Sequence, residues 1–232
     1  MPELPEVERG RRIAESALCG RRITTAHVAD DDIVFDGVTP REVARTLKGR
    51  TIAGVHRRGK HLWFELDRPP HPLLHFGMTG SFHVYDKLAD RPTYWKLELL
   101  LEGGRRFAMR NPRRLGRIRL RDDPPNQPPI SRLGFDPLLD LPRWPQLAAL
   151  LARRKSPIKA ALLDQSFASG VGNWIADEVL YQARIAPRRR CHELSADQVK
   201  ALRAALGRVV RRAVEVDADK GRFPRTWLFH DR

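Results

Sequence analysis

The chain has 232 residues, enough to bury a substantial core as one large domain or two smaller ones. Its 43 Lys and Arg against 28 Asp and Glu leave a net charge of +15, which favours a polyanionic partner: nucleic acid first, with ribosomal RNA or an anionic membrane surface also compatible. No apolar run approaches the ~18 residues of a membrane span, the first residues are acidic unlike a secretory signal, and two distant cysteines, Cys19 and Cys191, supply neither a disulfide framework nor a four-cysteine zinc site.

The opening stretch, Met1-Pro2-Glu3-Leu4-Pro5-Glu6-Val7-Glu8, has a chemical reading. Removal of Met1 makes Pro2 a secondary amine at the chain terminus, and an α-amine with a pKa of roughly 7.7–8.0 is partly neutral and nucleophilic near pH 7. Glu3 beside it is a carboxylate able to carry protons for whatever the amine attacks. The same octapeptide fits equally well an acidic first helical turn. Residues 5–18 then set Val7, Ile13, Ala14, Ala17 and Leu18 on one helical stripe, closed by Gly20.

Strand-like runs follow at 23–28, 33–35, 51–55, 61–66, 73–85, 96–101 and 105–120, broken by Pro, Gly and Asp turns. Thr39-Pro40-Arg41-Glu42 begins a short helix with a Thr cap and a closing Glu. This spacing predicts a β-sandwich or barrel over residues 1–121. Seven of the 18 prolines fall within 122–145, too many for a ladder or a helix, which marks a linker there. Residues 146–232 turn helical. Helices are expected at 147–151, 157–163 and 174–182, with a longer one capped by Ser195 and Gln198 that places Val199, Leu202, Leu206, Val209, Val210, Ala213 and Val216 on one face. The fold class is α+β.

Several stretches carry chemistry. Lys60, in Arg57-Arg58-Gly59-Lys60-His61, can meet a phosphate as a point charge, although a solvated turn has the same appearance. Two glycines flank Met78 in His75-Phe76-Gly77-Met78-Thr79-Gly80 and can present it outward as a wedge; a core methionine is the commoner use of such a residue. Residues 105–121 hold eight arginines, including Arg113 and Arg114, and from Gly116 basic and apolar residues alternate, so one strand face reads as a phosphate-binding stripe. The turn Ser169-Gly170-Val171-Gly172-Asn173 offers backbone N–H groups at a helix start as an anion site. Asn173 adds a side-chain donor, and Lys159 at the first turn of the preceding helix is a candidate contact to the same nucleic-acid strand. The eight histidines show no metal-ligand spacing.

PELPEVE, RRGKHLWFEL, HFGMTGS, NPRRLG, IKAALLDQ and GVGNWIADEVLYQARI, in that order, resemble the formamidopyrimidine-DNA glycosylase/endonuclease VIII family, and the phrasing LLDQSFASGVGNWIADEVLYQARI is closest to plant and other eukaryotic-type members. The resemblance implies a catalytic β-sandwich and a helix–two-turn–helix domain with DNA in the cleft, acting as a monomer on duplex DNA that carries oxidised bases or abasic sites. It implies that Pro2 attacks C1′ and forms a Schiff base, with Glu3 handling protons and Glu6 organising the site. Lys60 and Asn173 match residues that grip phosphates around the lesion, while Met78 and Arg113 match residues that fill the gap after base flipping, which the chemistry at C1′ requires. Formamidopyrimidines and 8-oxoguanine are the substrates implied, followed by β,δ-elimination.

Two departures stand out. Leu115 occupies a place where many members carry a phenylalanine wedge. Members continue past Phe229-His230-Asp231-Arg232 into a β-hairpin finger, with zinc or without, so either the protein works without a finger or the sequence belongs to a longer one. In either case no cofactor is expected and no zinc site can be built from these residues. The rival expectation is a non-catalytic nucleic-acid-binding protein that keeps the fold and the basic surface. Localisation reads as intracellular: nucleus or nucleoid.

Overall fold

A computed structural model describes residues 2–231; Met1, whose removal is expected above, and Arg232 at the chain's end lie outside the described residues. The chain forms two compact units, one of residues 2 and 7–131, the other of residues 3–6 and 132–231.

In the first unit, α1 (Leu4–Leu18) leads into two four-stranded antiparallel sheets. One has the order β1 (Ile23–Val28), β6 (Trp95–Leu101), β7 (Arg106–Arg110), β5 (Ser81–Tyr85). The other runs β2 (Ile52–Arg58), β3 (His61–Leu66), β4 (His71–His75), β8 (Arg117–Arg121). Period-2 alternation explains the strands: in β3, Leu62, Phe64 and Leu66 are buried while His61, Trp63 and Glu65 point away. Phe64, Phe82 and Phe107 meet in the core with centroids 4.7–5.8 Å apart. The helix α2 (Pro40–Leu47) carries the expected capping box, Thr39 bonding Glu42 in both directions.

Three strand expectations are corrected. Residues 33 and 34 lie in a turn instead, because the Asp31 carboxylate accepts the N–H groups of Ile33 and Val34 and closes the chain locally, and Phe35 makes only an isolated bridge to Ile118. The runs 73–85 and 105–120 each divide into two strands. The Gly77–Gly80 turn breaks the first, and the segment 111–116 breaks the second.

The second unit is helical: α3 (Trp144–Ala152), α4 (Ile158–Leu163), α5 (Asn173–Ala183) and α6 (Ala196–Glu215). Ser195 and Gln198 close the expected capping box on α6, and its predicted apolar face is buried throughout. The proline-rich stretch 122–145 is not extended chain. It carries 3-10 turns at Pro124–Asn126 and Ile130–Arg132, buries Ile130 and Asp136, and ends in the first residues of α3. No helix among the described residues is long and apolar enough to cross a membrane.

Candidate catalytic and nucleic-acid-binding site

The second unit shows why the PE start is more than an acidic helical turn. Glu3 is the residue before α1 and is 2% exposed. Its carboxylate accepts three backbone N–H bonds, from Gly172 at 2.8 Å, Trp174 at 2.9 Å and Ile175 at 3.2 Å. These are donors at the start of α5, where unsatisfied N–H groups and the helix dipole favour an anion. The expectation that this turn offers its backbone N–H groups to an outside anion is therefore corrected for these three donors: they are taken by Glu3, the chain's own carboxylate.

The turn is shaped for that role. A Cβ on Gly172 would stand 2.3 Å from Glu3 Cδ. Gly170 has a φ of +88°, a conformation suited to glycine, and a Cβ there would lie 2.8 Å from that of Leu4, whose N–H bonds the Gly170 carbonyl at 3.0 Å. Asn173 is exposed as the first residue of α5. Glu6 reaches back to the N–H of Glu3 at 3.0 Å, half of a capping box. Burial pushes its carboxyl pKa up, against the lowering effect of backbone N–H groups and of the Lys220 charge. Lys159, counted above as a DNA contact, is 2.6 Å from Asp177 in this structure.

In the first unit the strand register gathers three loops. His61 pairs with His75, and His75 with Arg117, so the turns just beyond those residues lie at one end of the sheet. Lys60 sits in the two-residue β2–β3 turn, with Gly59 at φ +55°. Arg57, buried beneath it, bonds the Gly59 carbonyl at 3.0 Å and Glu8 of α1 at 2.9 Å, which fixes the turn to the helix. Neither Glu8 nor Arg57 stands out in the sequence, because nothing local couples residues 49 positions apart.

Met78 is 40% exposed in the turn after β4, and Leu115 42% exposed in the loop before β8. Two features lock these loops together. A Cβ on Gly77 would stand 2.4 Å from the Leu115 backbone, and the buried Asn111 side chain donates to the Phe76 carbonyl at 2.9 Å while accepting from Gly116 N–H at 3.1 Å. Arg113 is exposed in the same loop. Arg114, φ +55°, is held by Asp31 through two 3.0 Å bonds. The positive stripe on β8 has an acid partner from a distant segment: Asp36 bonds Arg119 and lies 4.0 Å from Arg117. Lys60, Met78, Arg113 and Arg114 thus share one sheet end, while Glu3, Glu6, Asn173 and Lys159 surround the α5 start. Among the described residues no three His, Cys, Asp or Glu side chains gather as a metal-holding group.

Comparison with known proteins places this geometry. Residues 1–118 match the formamidopyrimidine-DNA glycosylase N-terminal domain and residues 133–224 the formamidopyrimidine-DNA glycosylase H2TH domain. The chain belongs to the formamidopyrimidine-DNA glycosylase family. A formamidopyrimidine-DNA glycosylase of Arabidopsis thaliana is 42% identical over 100% of this chain, which spans 63% of that relative's length. One from Herpetosiphon aurantiacus is 37% identical over 93% of this chain and 79% of its own length. Among solved structures, Lactococcus lactis formamidopyrimidine-DNA glycosylase, bound non-covalently to DNA with an abasic site, superposes with a TM-score of 0.85 at 25% identity, covering 93% of this chain and 82% of that one. The glycosylase MutM in complex with DNA containing carbocyclic 8-oxoguanine gives 0.84 at 25% identity, covering 92% and 80%.

Proposed function

We propose that the chain is a DNA base-excision enzyme, a glycosylase with abasic-site lyase activity that acts on oxidised bases such as formamidopyrimidines and 8-oxoguanine. The observation that carries this reading is Glu3, a buried carboxylate accepting three N–H bonds immediately after Pro2. In a binding protein this carboxylate would serve only to cap α5. An enzyme that opens a sugar ring has a further use for it beside a terminal amine.

In the proposed reaction the neutral Pro2 nitrogen attacks C1′ as the C1′–N bond breaks, and the base leaves with a proton taken from solvent. The Glu3 carboxylate takes the proton that the Pro2 nitrogen sheds and passes it to the ring oxygen as the ring opens, leaving an iminium between Pro2 and C1′. The iminium makes the C2′ hydrogen acidic; its loss expels the 3′ phosphate, and a second elimination expels the 5′ phosphate. Glu6 holds the Glu3 backbone N–H. Lys60 and Asn173 grip the flanking phosphates, Lys159 reaches the same strand as Asn173, Arg114 holds the loop that carries Arg113, and Met78 and Arg113 fill the space left by the flipped nucleotide. The expected substrate is duplex DNA, bound by a monomer, and no metal or cofactor enters the scheme.

Borohydride trapping of untagged protein on a duplex with one abasic site tests the reading. A covalent adduct is expected for the wild type, strongly reduced in Pro2→Gly, with Glu3→Gln slowed in base removal. Tight, salt-sensitive binding with no adduct, after confirmed loss of Met1, would establish the non-catalytic binder instead.

A further inference from the structure

The segment 111–116 is anchored at every residue that does not face outward. Asn111 is buried and bonded to Phe76 and Gly116, and Gly116 would place a Cβ 2.2 Å from the Asn111 amide. Arg114, left-handed at φ +55°, points its guanidinium at Asp31, leaving Arg113 and Leu115 on either side of the anchor exposed.

Asp31 is built for this grip. It is 3% exposed, comes from a segment 83 positions earlier, and accepts Arg114 Nε on one oxygen and Nη2 on the other, both at 3.0 Å. Lys96 adds a second cation at 2.6 Å, and the Ile33 and Val34 N–H groups bond Oδ1 at 3.2 Å. The segment carrying Asp31 is itself fastened to the start of β8: Ile118 N–H bonds the Val34 carbonyl at 2.7 Å, and Asp36 N–H the Ile118 carbonyl at 3.0 Å. Burial raises the Asp31 pKa, but Arg114 and Lys96 outweigh it and hold the group at about 2, so the grip is ionic at neutral pH.

We infer that Asp31 is a positioning residue for opposite-base reading, bracing Arg114 so that Arg113 and Leu115 are presented to the orphaned base in a fixed pose before DNA arrives. This rests on the function proposed above. Arg113 and Leu115 already stand exposed on either side of the anchor, and a loop ordered in advance avoids losing conformational freedom on binding. Through the Gly77–Leu115 contact the same brace sets the Met78 turn.

Asp31→Asn keeps the volume and the Oδ1 acceptor for the turn but removes the charge. Lys96→Gln removes the other cation and leaves the Arg114 grip, and Arg114→Lys keeps the charge while losing the fork. Two readouts apply. Trypsin cleavage after Arg113 and Arg114 in the folded protein is expected to rise about tenfold in Asp31→Asn, less in Arg114→Lys, and to stay within about twofold in Lys96→Gln. Fluorescence anisotropy on duplexes holding a tetrahydrofuran abasic analogue opposite each of the four bases is expected to show a spread of Kd in the wild type that collapses in Asp31→Asn. Unchanged cleavage in Asp31→Asn, or equal acceleration in Lys96→Gln, would overturn the brace. A wild type with no spread overturns the opposite-base role. Borohydride adduct yield at saturating DNA, expected to persist in Asp31→Asn, reports separately on the lyase reading.

Discussion

Gly172 is the residue on which the Glu3 site turns. Its φ of −132° is open to any residue, so the demand for glycine is steric: a methyl would occupy the space of the Glu3 carboxylate. In Gly172→Ala the carboxylate must leave three N–H donors, and hydrogen bonds to a charged group are worth about 1.5–3 kcal/mol each, partly recovered by water. The variant is expected to lose about 2–4 kcal/mol, which lowers the melting temperature by roughly 5–15 °C for a protein of this size. Adduct formation on an abasic duplex is expected to slow by about a hundredfold, the contribution of a misplaced proton carrier. Adding Gly172→Ala to Glu3→Gln is expected to slow the reaction little further, because both act on one group. Calorimetry and single-turnover trapping check both parts. Additive losses would mean the glycine serves something other than Glu3.

At the level of elements, the loops at one sheet end hang on a histidine pair that burial keeps neutral. His61 and His75 face each other across β3 and β4 with centroids 4.8 Å apart. Burial, with the nearby cations Lys60 and Arg119, holds their pKa values at about 3 and about 4, and His75 further disfavours charge on His61. His75 Nδ1 accepts the Gly77 N–H, so this nitrogen must be unprotonated for the Met78 turn to close. Between pH 6.5 and about 4 the unfolded chain binds protons that the folded one does not, so stability rises with pH across this window and is complete above it. The melting temperature is expected to fall as pH drops from 6.5 to 4.5, and to fall less in a His61→Gln/His75→Gln variant. The Asp31 ion pair, with a pKa of about 2 against an ordinary 3.8, fails only below pH 4 and leaves this window clear.

Elements with local causes were legible in the sequence, and contacts between distant segments were not. Thr39–Glu42 and Ser195–Gln198 announce their helices because a capping box lies within four residues. The alternation of β3 announces its buried face for the same reason. The Gly170–Gly172 turn was legible as an anion site, but its occupant, 169 positions from Gly172, was not. Asp31 illustrates the limit most sharply: Ile33-Val34-Phe35 has strand-forming side chains, and one upstream carboxylate folds its first two residues into a turn and also reaches Arg114. Lys60, Met78 and Arg113 are recognisable as candidates from their neighbours, whereas the residues that hold their loops, Arg57, Glu8 and Asn111, have no local signature.

For the whole molecule, the charge of +15 overstates what a nucleic acid would meet. Of the eight arginines in 105–121, Arg105 and Arg106 face Asp86 and Glu98, Arg114 faces Asp31, and Arg117 and Arg119 share Asp36. The Glu98 and Asp31 carboxylates are buried, so their pairs with Arg106 and Arg114 are weakly screened and do not exchange readily for phosphate, while Arg119 is tied to the half-exposed Asp36 by a direct hydrogen bond. An arginine that stays paired with a carboxylate neutralises no phosphate and releases no counterion from the DNA, and only cations that newly neutralise a phosphate steepen the salt dependence. Full engagement of the eight would give a slope of log affinity against log salt near −7, from about −0.9 per phosphate. The structure predicts a shallower one, about −3 to −5, with Lys60→Gln making it shallower by about 1 and Arg119→Gln leaving it nearly unchanged. Anisotropy titrations of an undamaged duplex from 50 to 300 mM salt measure it. A slope near −7 that loses a full unit in Arg119→Gln would show that the internal acids surrender their partners to DNA, and that the β8 stripe binds phosphate as its sequence suggests.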